Sequence, residues 1–124
     1  MTPARSYRDL IAWQKAVELA QETYRLAALL PERERFGMWS QITRAAASVP
    51  ANLAEGHARQ GRKEFAHFAS VSRGSVAELE TFILLAVRLG YFGASTCEGL
   101  LSLSDEVGRM LTRLHQSLND AKNP

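Results

Sequence analysis

The sequence is poor in several things, and each scarcity narrows what the chain can be. Cysteine occurs once, at Cys97, so no internal disulfide can form and a reducing cytoplasm is the plain expectation. No apolar run approaches the roughly 18 residues that a membrane-spanning helix needs, and the polar opening MTPARSYRD does not read as a signal peptide. A membrane is therefore not expected as a partner. There is no strand-like alternation and no glycine-rich phosphate loop following a strand. Lysine stands only at Lys15, Lys63 and Lys122, so the basic side is nearly all arginine, a residue suited to bidentate phosphate contacts. The formal net charge of +2 says little about partners.

What is present is helical periodicity. Residues 1–8 read as a short tail and 9–124 as one domain. Helix 1 starts near Asp9, as N-cap or as a capping-box pair with Ser6, and carries the stripe Leu10, Trp13, Val17, Ala20, Tyr24 and Ala27 before Pro31 ends it. Helix 2 runs from about Met38 to Ala58 and has three faces at offsets of three and four. Trp39, Ile42, Ala46, Val49 and Leu53 form its large apolar stripe; Gln41, Arg44, Ser48, Asn52 and Glu55 form a polar one; Ala47, Ala51, Ala54 and Ala58 form a third of methyl groups only. Pro50 should kink this helix or split it, with Ser48 and Asn52 placed to repair the freed backbone.

Gly61 is read as the breaker before helix 3, which spans about Arg62 to Leu89. Its two stripes are Phe65-Ala69-Val76-Leu79-Ile83-Ala86 and Phe68-Val71-Phe82-Leu85-Leu89, with a small-residue face of Ser70, Gly74, Ala77 and Thr81. Gly90 suits a C-terminal cap. Ser95 and Glu98 read as the capping box of helix 4, whose seam is Leu100, Leu103, Val107, Met110, Leu114 and Leu118. Four helices joined by short connections predict an all-α fold, an antiparallel up-down four-helix bundle.

A hairpin turning at Gly61 sets Arg44 level with Glu78 and Glu55 level with His67. The expected structural polar network is therefore Gln41, Arg44, Ser48, Asn52, Glu55, Ser75 and Glu78, with an Arg44–Glu78 ion pair across the helices. Catalytic chemistry finds no support: no Ser or Cys has a nucleophile setting, and Glu78 and Glu80 point to different faces. Glu64 and His67 make a single E-x-x-H, whereas bundle di-metal sites need two and two further glutamates, so no metal or other cofactor is expected. The cations Arg59, Arg62 and Lys63 around the second turn are the candidates for contacting RNA or DNA. The alanine face Ala47, Ala51, Ala54 and Ala58 is the candidate contact between copies, because the large stripe already supplies a core face.

Certain segments also carry a family resemblance: Asp9-Leu10 with Trp13-Gln14-Lys15-Ala16, Ser40-Gln41-Ile42 through Arg44-Ala45-Ala46, and Ser48-Val49-Pro50-Ala51-Asn52-Leu53-Ala54-Glu55-Gly56. Lys63-Glu64-Phe65, Arg73-Gly74-Ser75, Glu78-Leu79-Glu80-Thr81 and Leu89-Gly90-Tyr91 extend it, while helix 4 matches only in its heptad pattern. The chain resembles the four-helix-bundle proteins encoded within intervening sequences of bacterial 23S ribosomal RNA genes, often labelled S23 ribosomal protein. It is similar also to the accessory protein of diversity-generating retroelements. The resemblance implies a homo-oligomeric ring, a pentamer. It also implies possible partners in RNA or DNA and in a reverse transcriptase or other polymerase. The family name does not establish a ribosomal component.

Overall fold

A computed structural model describes residues 6–120, and within them every regular element is helical. The helices are α1 (Ile11–Ala27), α2 (Met38–Ala58), α3 (Arg62–Arg88) and α4 (Ala94–Asp120), with short 3-10 turns at Tyr7–Asp9 and Glu32–Glu34. Each helix lies against its neighbours in sequence, α4 closes back on α1, and the diagonal pairs do not touch. That is the expected four-helix bundle. Of the expected tail, residues 1–5 lie outside the described residues. Ser6 and Asp9 do form their reciprocal cap, but around the 3-10 turn that precedes α1. No helix among the described residues is long and apolar enough to cross a membrane.

The core follows one stripe per helix. In α2 the expected residues Ile42, Ala46, Val49 and Leu53 are fully buried, while Trp39 stands at the rim with its ring edge-on to Tyr24, centroids 6.1 Å apart. In α3 the first stripe is core from Ala69 to Ala86. The second stays largely outside: Val71, Leu85 and Leu89 are exposed. A helix in a four-membered ring has only about a third of its circumference facing inward, so two adjoining stripes cannot both be buried.

For α1 the expected stripe requires correction. The buried residues are Ala16, Leu19, Thr23, Leu26 and Ala27, and of the expected set only Ala27 is core. Val17 and Tyr24 are exposed. The helix carries two apolar faces; on the expected one Trp13 and Ala20 are partly buried against the core while Val17 and Tyr24 point outward. In α4 the seam is shifted by a similar rotation, with Cys97, Ser104 and Leu111 buried beside Leu100 and Val107.

The ends are set by local chemistry. After α3, Gly90 adopts φ +83°; its N–H donates to the Val87 carbonyl and the Tyr91 N–H to Ala86, the paired bonds of a Schellman cap. After α2 the corresponding left-handed position is held by Gln60, φ 59°, and not by glycine. Gly61, expected to be the breaker, has an extended backbone (φ −119°, ψ 135°) that any residue can adopt. Ser95 falls inside α4, which begins at Ala94.

α2 is one continuous helix that includes Pro50, so the split reading is not taken up. Around the proline the hydroxyl of Ser48 donates to the Ala45 carbonyl (2.8 Å) and the Asn52 amide to the Ser48 carbonyl (2.7 Å). From α3, the buried Ser72 hydroxyl donates to the carbonyl of Val49, the residue before the proline. One further polar tie joins the loops at one end of the bundle. Tyr91 Oη donates to Glu34 Oε2 (2.6 Å), and Glu34 Oε1 accepts the Met38 N–H that opens α2 (3.0 Å).

Candidate nucleic-acid interface

The α2–α3 register is the one expected from a turn at Gly61: Val49 meets Ser72, and Gly56 meets Phe65 and Phe68. The polar network built on that register does not form. Arg44 and Glu78 are both exposed and enter no ion pair among the described residues. They are level along the axis but differ in azimuth, since Arg44 shares the outermost line of α2 with Ala47, Ala51 and Ala58. Glu55 does not meet His67. It pairs with Arg59 one turn along its own helix, at 2.8 Å, because an i,i+4 partner is nearer than one across the groove. Gln41 is exposed, and Ser48 and Asn52 spend their hydrogen bonds on α2 itself. The half-buried Ser75 makes none with this set.

The basic turn divides in the same way. Arg59 is committed to Glu55, lies 3.9 Å from Glu64, and sits over the Phe68 ring at 5.3 Å. Its guanidinium pKa is raised, first by the Glu55 hydrogen bond. An arginine so engaged adds little net positive field. Arg62 and Lys63, in the first turn of α3, are both exposed, and Lys63 has no carboxylate within ion-pair distance.

Other cations, not singled out by the sequence, are left without a carboxylate. Arg73 on α3 and Arg113 on α4 are exposed, form no ion pair among the described residues, and line the same groove between these helices. Their signal in the sequence was absent because they belong to no cluster; only the antiparallel pairing of α3 with α4 joins them. Among the described residues no group of three His, Cys, Asp or Glu is arranged to hold a metal ion.

Apolar surface is also left over, in two places besides the exposed Ile11, Leu29 and Phe36. On α1 and α2, Val17, Tyr24 and Trp39 are exposed, flanked by the alanine face, of which Ala47, Ala51 and Ala58 are exposed and Ala54 is half-buried. On α3, Val71, Leu84, Leu85 and Leu89 are exposed. The two helices α1 and α3 are diagonal in the bundle, so these surfaces look in different directions.

The fold and this surface define an α-helical bundle. The sequence profile of the 23S rRNA-intervening sequence protein family matches residues 8–113, and the chain belongs to that family. A crystal structure from Bacteroides thetaiotaomicron, of a protein of unknown function from the S23 ribosomal protein family, superposes with a TM-score of 0.79 at 25% identity, covering 86% of this chain and 99% of that one. No functionally curated protein matches the chain.

Proposed function

We propose that this protein is a non-catalytic, ring-forming four-helix bundle that binds RNA or DNA through the phosphate backbone. One observation supports the reading above others: the monomer surface keeps apolar residues on two separate faces, and it also carries exposed cations, Lys63, Arg73 and Arg113, without a carboxylate partner among the described residues. Two different apolar faces favour a head-to-tail contact, which closes into a ring when the rotation allows. A pentamer would repeat each cation five times, so that a weakly basic chain builds a substantial positive field. Light scattering on the purified protein should give a closed multiple of the 13.7 kDa chain mass. Filter binding should retain RNA or DNA at low salt and lose it steeply as salt rises. A strict monomer, or no retained nucleic acid, overturns the corresponding half.

A second reading has its own support. Phe36, at the tip of the α1–α2 connection, is 91% exposed, near a pocket lined by Ala27, Leu30, Pro31 and Trp39 together with Glu32 and Arg35. An exposed aromatic near a pocket of mixed apolar and charged lining suits a protein partner better than a phosphate chain. In that case the ring is a scaffold for a polymerase or reverse transcriptase, and a pull-down after nuclease treatment keeps its partner.

A further inference from the structure

The α3–α4 groove offers a more specific site than the basic turn. Its volume is about 430 Å³, and Arg73 on one wall faces Arg109 and Arg113 on the other. The floor is made of small residues: Ala77 from α3, and Gly108 from α4, where an added Cβ would lie 3.8 Å from Val76 Cγ1. Thr112 adds a hydroxyl on the α4 wall, although it donates to the Gly108 carbonyl (3.0 Å).

Two carboxylates share the groove and keep their charge, so that against three arginines the lining carries one net positive charge. Glu80 accepts from the buried Ser104 hydroxyl at 2.7 Å, and Asp105 pairs with Arg109. Arg73 and Arg113 are left, one on each wall, with no hydrogen bond or ion pair among the described residues. Lys63 lies toward the start of α3, ten residues and about 15 Å of helical rise from Arg73, and is not part of the groove lining.

We infer that the α3–α4 groove seats a single-stranded phosphodiester backbone, gripped from both walls by Arg73 and Arg113. The inference rests on the nucleic-acid reading above and gives it a location. A single strand fits where a duplex does not, because packed helix axes lie only about 8–10 Å apart and the groove between them is narrower than a double helix. Two guanidiniums offer forked donors to successive phosphates, and the small floor lets the chain approach. Arg59 plays no part.

The test uses the full chain and a fluorescent single-stranded oligouridylate, with anisotropy read across a salt series. The double variant Arg73→Gln/Arg113→Gln should bind about tenfold more weakly, and its log–log salt slope should flatten by about 1.4, or about 0.7 for each phosphate no longer neutralised. Arg8→Gln/Arg88→Gln removes the same net charge from exposed positions outside the groove and should leave the slope unchanged. Ala77→Glu, at an exposed position on the floor, should abolish binding while the far-ultraviolet circular dichroism stays helical. Equal weakening by the two double variants, or none by the groove pair, overturns the groove and leaves nucleic-acid binding standing. No binding by the wild type at low salt overturns both.

Discussion

Gly56 closes the SVPANLAEG segment, and replacing it with alanine should reverse the usual sign of a helical glycine substitution. In an open helix position, glycine to alanine stabilises by about 1 kcal/mol through backbone entropy and helix propensity. At Gly56 the new Cβ would lie 2.7 Å from Phe68 Cβ and 3.2 Å from Phe65 Cδ1. The first is next to the backbone of α3, so no rotamer change relieves it; α2 and α3 must move apart. Overpacking costs about 1–3 kcal/mol, and an obstacle on the backbone side of another helix puts Gly56 at the upper end, about 2–3 kcal/mol. With the propensity gain subtracted, Gly56→Ala should destabilise by about 1–2 kcal/mol. For a chain of this length that is a fall in Tm of roughly 4–8 °C. Gly99 supplies the control, since nothing lies within 4 Å of its added Cβ, and Gly99→Ala should raise Tm by about 4 °C. Thermal melts by circular dichroism, at one protein concentration because assembly shifts Tm, read both. If Gly56→Ala melts at or above the wild type, α2 and α3 do not approach as described.

Further outcomes are open to measurement. Gln60→Gly should stabilise by about 1 kcal/mol, because it removes a side chain from a left-handed backbone position, and Gly61→Ala should be nearly neutral; chemical denaturation separates the two. Tyr91→Phe should flatten the acid limb of stability. The Tyr91 hydrogen bond lowers the Glu34 pKa below its ordinary 4.5, and the same bond raises that of Tyr91 above 10.0. The contribution is therefore complete between those two values and is lost as acid takes Glu34 through its lowered pKa, or as base takes Tyr91 through its raised one. Melts of wild type and variant across pH should converge at both extremes. Ser72→Ala should cost about 1 kcal/mol in denaturant unfolding, the worth of one buried hydrogen bond whose acceptor keeps its place in a helix. On the assembly, Ala51→Glu and Leu85→Glu, each at an exposed position, should each yield smaller particles in light scattering with helicity retained.

Helical periodicity made the four elements and much of the core legible. Ile42, Ala46, Val49 and Leu53 repeat at the right spacing and are buried. It failed where a helix carries more apolar residues than one face can bury. On α1 the aromatic side chains of Trp13 and Tyr24 outweighed Leu19 and the small Ala16 and Thr23, yet the latter are the core. Hydropathy cannot rank two stripes on one helix; the positions of the other three helices decide. Buried Ser72 and Ser104 went unread because each is satisfied by a partner more than twenty residues away. The candidate site was legible only in part for the same reason. Charges close in sequence were visible at Arg59, Arg62 and Lys63, and Arg59 proved to be occupied by Glu55. Arg73 and Arg113 become neighbours only through the antiparallel packing of α3 on α4.

The latch between Tyr91 and Glu34 makes the bundle unequal end to end. It ties the α1–α2 and α3–α4 connections together at one pole, and the Glu34 carboxylate also holds the first turn of α2. At the opposite pole the last turns of α4 rest on half-buried Leu114 and Leu118, and the Asn119–His115 hydrogen bond there stays within the helix. Amide exchange along α4 should therefore slow from its C-terminal turns toward Cys97. Arg113 sits on the loosening side of that gradient. The wall that carries Arg113 belongs to the last turns of α4, so ligand binding should show as new exchange protection there.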